Sequence, residues 1–499
     1  MIREQARRAF MRKMALGSLG LMWSDTILAD PLQRLIYDFS VLSPVRVRGR
    51  VTDGAKGIAG VSVSDGLNVV QFGRDGQYEL LSSSERPFVW ISVPGGYDFP
   101  VRTNSIAQFY KPLAGNKKEV KASWIIKPME QNDNSHGFIV MADPQTQDME
   151  DMKRFQEETI PDVIKILSTY SKPFFNLSCG DIMWDNLELY DDFERAINRV
   201  GFPGFQVVGN HDLDVSADDE GSVVTFMNRF GPNYYSFNRG EIHYVVLDDV
   251  YWFGDGYRGY IDDIQLKWLE NDLKLIEKGR RVVVFTHIPV YNLQFVRNGD
   301  AKPGERVVVS NRDRLYRILE TYKVHIITGH THVNDYFEHG GASHHNCGTA
   351  CGAWWTGDIC SDGTPNGYVL YEAKGSALSW KYKSTGKPLT HQMRIYEKGT
   401  DPSAPGEIVV NIWGATDKWV INIYEDGIRK ERMERRTGLD PLSVKLHKGQ
   451  DLPAKRSWVE PTMTAHLYYA HVSDQEHEIT VEAISESGEI YVEKLIKSP

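Results

Sequence analysis

Five apolar runs in this chain each end in side chains able to bind metal ions or move protons. Phe138-Ile139-Val140-Met141-Ala142 leads into Asp143-Pro144-Gln145, and Phe174 to Cys179 leads into Gly180-Asp181. Phe205 to Val208 is followed by Gly209-Asn210-His211-Asp212, Val282 to Thr286 by His287, and Val324 to Thr328 by Gly329-His330-Thr331-His332. One polar tetrapeptide after a strand is ordinarily a turn. Five of them, each at a strand end, predict a site, because open α/β sheets bind ligands at the carboxyl ends of their strands. The runs would then aim Asp, Gln, Asn and His at one edge of one sheet. Carboxylate, amide oxygen and imidazole together suit a borderline divalent ion such as Mn, Fe, Co or Zn. So many of these side chains point to two ions. A metal pair about 3.5–4 Å apart, bridged by a carboxylate and a hydroxide, serves in-line displacement at phosphorus.

The elements that must position these residues alternate strand and helix from 128 to about 388. Met149, Met152, Phe155, Ile160, Val163, Ile164 and Leu167 recur at helical spacing within 148–170. Further helices are predicted over 262–278 and 311–322, and strand character returns over 366–382. The stretch 290–310 has no clear period and is long for a passive connection, which suggests a loop over the site. Trp354-Trp355 reads equally as an aromatic wall for substrate or as a packed hairpin. His344 and His345 read as surface residues or as residues behind the ligands, and Tyr234-Tyr235 as core.

Residues 137 to about 388 resemble a calcineurin-like metallophosphoesterase. The family order is Asp-x-His, Gly-Asp-x3-Asp, Gly-Asn-His-Asp/Glu, a lone His after a strand, and Gly-His-x-His. This chain has Asp143-Pro144-Gln145, Gly180-Asp181-Ile182-Met183-Trp184-Asp185, Gly209-Asn210-His211-Asp212, His287 and Gly329-His330-Thr331-His332. The resemblance implies a four-layer α/β/β/α sandwich flanked here by two small all-β domains. It implies one metal on Asp143, Gln145, Asp181 and His332, and a second on Asp181, Asn210, His287 and His330, with Asp181 bridging. It also implies that His211 is the general acid or transition-state donor and that Asp212 orients it. The activity implied is dinuclear-metal-dependent hydrolysis of a phosphomonoester or phosphodiester by a metal-bridging hydroxide, with Mn, Fe or Zn as the ions. Gln145 stands where the commoner pattern has His, and its amide oxygen is a weaker, harder donor than imidazole.

The flanking regions carry no catalytic constellation. Short alternating strands between Val45 and about Tyr97, separated by Gly/Asp turns, predict a small antiparallel sandwich within 45–127. It resembles the transthyretin-like, carboxypeptidase regulatory-like accessory domains of secreted enzymes. After a Pro/Gly-containing linker at 399–406, strands at 407–413, 419–424 and 478–483 predict a second β module within 389–499. The stretch 352–357 followed by 362–368 fits a branch of the family with β domains at both ends of the core. Residues 1–29 resemble a twin-arginine export signal, with Arg7-Arg8-Ala9-Phe10 before a short apolar stretch and Ala29 after it. The expected location is therefore periplasmic, and ten apolar positions are too few to span a bilayer.

At 499 residues the chain exceeds one ordinary core. Its formal net charge of −10 speaks against nucleic acid as the main partner. The expected partner is a phosphate-ester substrate, with surface or glycan contact through the β modules. Two alternatives remain open at this level: an exported glycan- or surface-polymer-binding protein whose core holds metal without turnover, and a nuclease or cyclic-nucleotide diesterase. Four cysteines do not form a disulfide scaffold. Cys360 would pair with Cys347 or Cys351 in an oxidising compartment, or all would be free thiols.

Overall fold

In the computed structural model, residues 44–71, 73, 75–113, 118–473 and 477–495 are described. The predicted export signal, residues 1–29, lies outside them. The segment from Val45 onward forms one compact unit.

Two sheets lie at its centre. In the first, Gly204–Val207, Phe174–Cys179 and Ser135–Met141 run parallel, and Gly367–Lys374 and Ala377–Ser384 continue the sheet as an antiparallel hairpin. In the second, Ile242–Val246, Arg281–Phe285, Lys323–Thr328 and Ala342–Asn346 run parallel, with antiparallel strands Tyr235–Arg239 and Asp335–His339 at its two edges. The parallel strands are almost wholly buried, as expected where both faces are covered, and their near-continuous apolar runs follow from that. The metal-binding residue types therefore come from two facing sheets, not from one edge of one sheet. Apolar runs without alternation do not reveal which strands pair, so a second sheet was not readable from them.

Rings from both sheets fill the space between them. Phe138 stacks between Phe175 and Tyr371, with centroids 4.9 and 4.5 Å away, and meets Phe285 of the second sheet edge-on at 6.0 Å. Helices cover the outer faces. The 148–170 stretch begins at Asp148, whose side chain accepts the Glu150 and Asp151 N–H groups, a standard way of satisfying first-turn donors. It runs as α-helix over Met149–Arg154, a π-turn over Phe155–Thr159 and α-helix again over Ile160–Leu167. Asp263–Leu273 starts the same way from Asp262, and Arg312–Leu319 is the third predicted helix.

The N-terminal region is a pair of small sheets, as the alternating pattern suggested, but it is not wholly antiparallel. Pro44–Thr52 pairs in parallel with Glu119–Lys121 and with Trp124–Ile125. Phe99 and Phe109 from this region pack on Phe205 of the core, with centroids 5.0 and 6.1 Å away. The C-terminal region is two four-stranded antiparallel sheets. It meets the core through a buried polar seam: Asp362 accepts from His466 Nε2 at 3.1 Å and from the Asn334 N–H at 2.8 Å, while Asn411 Nδ2 donates to the Asp362 carbonyl.

Candidate metal centre

Five of the parallel strands stop just before a ligand-type residue, and the chain then turns sharply. Asp143, Gln145, Asp181, His330 and His332 all have positive φ, between 40° and 72°. Non-glycine residues pay for that conformation, and such strain gathers at functional sites. Two glycines make the close approach possible: a Cβ at Gly180 would lie 2.2 Å from His287 Nδ1, and one at Gly209 would lie 2.0 Å from the Asp181 nitrogen. The loops thus lie against one another with no room for a side chain between them.

The three histidines share one pattern. His287 Nδ1 faces the Cys179 carbonyl at 3.1 Å, His330 Nε2 the Arg306 carbonyl at 2.9 Å, and His332 Nδ1 the Gly352 carbonyl at 2.5 Å. A carbonyl only accepts, so each of those ring nitrogens carries the proton and the opposite nitrogen keeps its lone pair. Those lone-pair nitrogens converge. His287 Nε2 lies 3.2 Å from each of Asp181 Oδ1, Asn210 Oδ1 and His330 Nδ1. His332 Nε2 is buried without a hydrogen-bond partner and lies 3.6 Å from Asp143 Oδ1. Histidine that ligates a metal nearly always donates its other N–H in this way. The donor set accordingly fits two cations, and Asp181, whose Oδ1 faces His287 and whose Oδ2 faces Gln145 at 3.0 Å, sits between the two halves.

Charge leads to the same conclusion. Burial pushes the Asp143 carboxyl up to about 8, with Asp181 adding to the effect, and pushes His330 and His332 down to about 3 and 4. Burial opposes charge on His287 too, but Asp181 overcomes it and raises the imidazole to about 10, so a proton on Nε2 balances Asp181 where a metal cation would otherwise take that nitrogen's lone pair. Carboxylates buried without compensation cost several kcal/mol each, a cost that bound cations would offset.

His211 stands just outside this ring of donors, half-buried, with its backbone N–H on Asp181 Oδ1 at 2.9 Å. Its Nδ1 is held by Asp185 Oδ1 at 2.8 Å. Here the expectation for Asp212 is corrected. Asp212 is fully buried and accepts the backbone N–H groups of Ile182, Met183 and Gly209 at 2.9–3.0 Å and the Tyr190 hydroxyl at 3.1 Å. It braces the Asp181 loop, and Asp185 is the carboxylate that orients His211. Gln145 presents its amide nitrogen to Asp181 and its oxygen toward Cys351 Sγ at 3.8 Å. Coordination through that oxygen requires the amide to turn over.

Other residues at the centre had weak or no signals in the sequence. Asp249 receives the backbone N–H groups of His287 and Ile288 at 3.2 and 3.1 Å and so fixes that loop. It follows an apolar strand, the same signal that marked the other five. The stretch 290–310 does reach the site, through the Arg306 carbonyl on His330, and the Arg306 guanidinium lies over the Tyr257 ring. Trp354 stacks on His332 at 3.9 Å, whereas Trp355 is buried and donates Nε1–H to the Pro144 carbonyl. His344 and His345 are buried in the second sheet, against Phe337 and Tyr371, and are neither surface residues nor behind the ligands. All four cysteines are buried free thiols.

Three family models match in order: "N terminal of Calcineurin-like phosphoesterase" over 45–128, "Calcineurin-like phosphoesterase" over 137–334 and "C terminal of Calcineurin-like phosphoesterase" over 344–491. The serine/threonine-protein phosphatase CPPED1 of Mus musculus is 29% identical over 140 residues, 26% of this chain and 44% of that protein. A 3',5'-cyclic-nucleotide phosphodiesterase of Nostoc is 24% identical over 185 residues, 36% of this chain and 60% of that protein. The chain thus spans less than half of the first of these relatives. Among solved structures, a dimetal phosphatase from Danio rerio has a TM-score of 0.36 at 14% identity, covering 50% of this chain and 96% of that one. A purple acid phosphatase from yellow lupin has a TM-score of 0.36 at 12% identity, covering 70% and 68%.

Proposed function

The chain belongs to the calcineurin-like phosphoesterase family, and from that premise we propose that it hydrolyses a phosphate ester with the help of two divalent metal ions. The observation that carries this reading is that three imidazoles, each oriented by a backbone carbonyl, turn their other nitrogens toward buried carboxylates, His287 and His330 beside Asp181 and His332 beside Asp143. Asp143, Gln145, Asp181 and His332 would hold one ion, and Asp181, Asn210, His287 and His330 the other. Such a pair, when bound, would lower the pKa of water and offset charge on the phosphoryl oxygens.

The remaining steps belong to side chains. His211, next to the ligand Asn210 and open to solvent on one side, donates a proton or hydrogen bond to the leaving oxygen. Asp185 holds its Nδ1, so that Nε2 faces the reacting group. Asp181 and Asp185 both favour the protonated ring; burial works against them, and the His211 pKa lies above its ordinary value. Asp212 and Asp249 keep the ligand loops in place through backbone hydrogen bonds.

Relatives named for phosphatase and for cyclic-nucleotide phosphodiesterase activity support keeping both monoesters and diesters in the test. The assay is turnover of p-nitrophenyl phosphate and bis-p-nitrophenyl phosphate with Mn, Zn or Fe supplied in turn. Metal-dependent hydrolysis of either ester is the expected result. No turnover with any ion would favour a binding protein whose core merely holds metal. The twin-arginine-like segment in 1–29 leads us to place the protein in the periplasm.

A further inference from the structure

The metal centre has an aromatic wall, and its outermost ring comes from a distant part of the chain. Trp354 stacks on the ligand His332, Trp184 lies 5.7 Å from His211, and Trp458 touches both indoles, with centroids 4.9 Å from Trp354 and 6.0 Å from Trp184. The inner two rings already have face partners: Trp354 has His332, and Trp184 has the Arg456 guanidinium 4.7 Å above it. Trp458 meets its neighbours only at steep angles, 61° and 89°, and is 56% exposed. Among the described residues no ring or cation stacks on its face.

An exposed indole beside a reaction centre costs apolar hydration, and this one is held there firmly. Arg456, two residues earlier, is 9% exposed with φ 62° and forms a two-pronged ion pair with buried Asp151, together with bonds to Gln147 Oε1 and the Trp354 carbonyl. Lys455 adds contacts to Asp148 and Asp151 at 2.7 and 3.1 Å. The segment is thereby fastened to the helix Met149–Arg154, its N-cap and the loop that follows Asp143, which come from the catalytic core. Such anchoring presents a rigid flat surface rather than a wandering loop tip.

We propose that Trp458 is a specificity-determining residue, and that its open face stacks the planar aromatic ring of a phosphate ester whose phosphoryl group lies at the metal centre. This rests on the phosphoesterase reading above. Aromatic stacking suits the site because the partner needs only a π-face, and the two neighbouring indoles stand at steep angles to Trp458 rather than stacked on it.

The test compares kcat/KM for p-nitrophenyl phosphate, glycerol phosphate and a sugar phosphate in the full chain with Mn²⁺, as wild type, Trp458→Ala and Trp458→Phe. The aryl-to-alkyl ratio should fall about 5- to 100-fold in Trp458→Ala, mostly through KM, and recover in Trp458→Phe. A ratio within about twofold of wild type overturns the proposal, as does an equal loss with a sugar phosphate, which would mean any ring is accepted. If wild type hydrolyses none of these esters, the phosphoesterase reading fails separately. Binding of phenylphosphonate, followed by indole fluorescence, then decides: weaker binding in Trp458→Ala supports the aromatic subsite, and unaltered binding overturns it.

Discussion

Neighbours in sequence need not be partners in space, and His211 and Asp212 are the case in point. One side chain faces the reacting side and finds Asp185; the other turns inward to three backbone N–H groups. Their substitutions should therefore separate cleanly. His211→Ala should lose roughly 10²–10⁴-fold in rate with its metal content kept, since it removes a proton donor and not a ligand. Asp185→Asn should lose rate by up to about 10²-fold and narrow the pH profile. Asp212→Asn should instead lower thermal stability, because an amide has a single acceptor oxygen for backbone N–H groups that now reach both carboxyl oxygens, and a buried donor left unpaired costs about 1–3 kcal/mol. Stability unchanged in Asp212→Asn, with activity lost as in His211→Ala, would return the orienting role to Asp212. At Gln145, replacement by His should raise metal affinity at that position and shift the activating ion, which metal analysis of the purified variant would read. The candidate ligand residues were legible because each follows an apolar run. Asp185 stood in one of those blocks, but pairing across loops depends on side-chain direction, which spacing does not encode.

At the scale of elements, the strands that carry the ligands were readable as apolar runs, and their ends agree within a residue or two with the structure. The helices were readable from their apolar period, yet the π-turn Phe155–Thr159 was not, since one inserted residue barely disturbs that spacing. Least legible was the segment bearing Lys455, Arg456 and Trp458, which belongs to the site only through tertiary contact with the helix Met149–Arg154. Its anchor gives a sharp prediction. Asp151→Ala leaves Arg456 buried without its partner, and breaking such a pair costs about 3–5 kcal/mol. The expected result is a lower unfolding midpoint together with easier proteolysis near 455; a midpoint equal to wild type would mean that the ion pair does not fasten the segment. The same reasoning applies at the core's junction with the C-terminal sheets, where His466 bridges Asp362 and Asn411.

Across the whole molecule, the buried histidines away from the ligands set an acid limit on stability. Burial pushes His136 down to about 4 and His344 to about 3, so the folded state keeps both neutral. The unfolded chain takes up those protons near pH 6.5. Their contribution is therefore whole above about pH 6.5 and drains away as the pH falls toward 3–4. The unfolding midpoint should drop through that window, and His344→Gln should flatten the drop; an equal slope in the variant would acquit His344. Export is testable as well: Arg7→Lys with Arg8→Lys should leave precursor in the cytoplasm, and continued export without the twin-arginine machinery would refute it. The central claim is that two metal ions at the Asp181 centre carry the hydrolysis. Its most direct measurement is turnover of p-nitrophenyl phosphate by metal-stripped protein as Mn²⁺ is added in known equivalents. No turnover is expected at the start, then a rise with each addition and saturation at two ions per chain. Full turnover by the stripped protein, or saturation at a single ion, would contradict it.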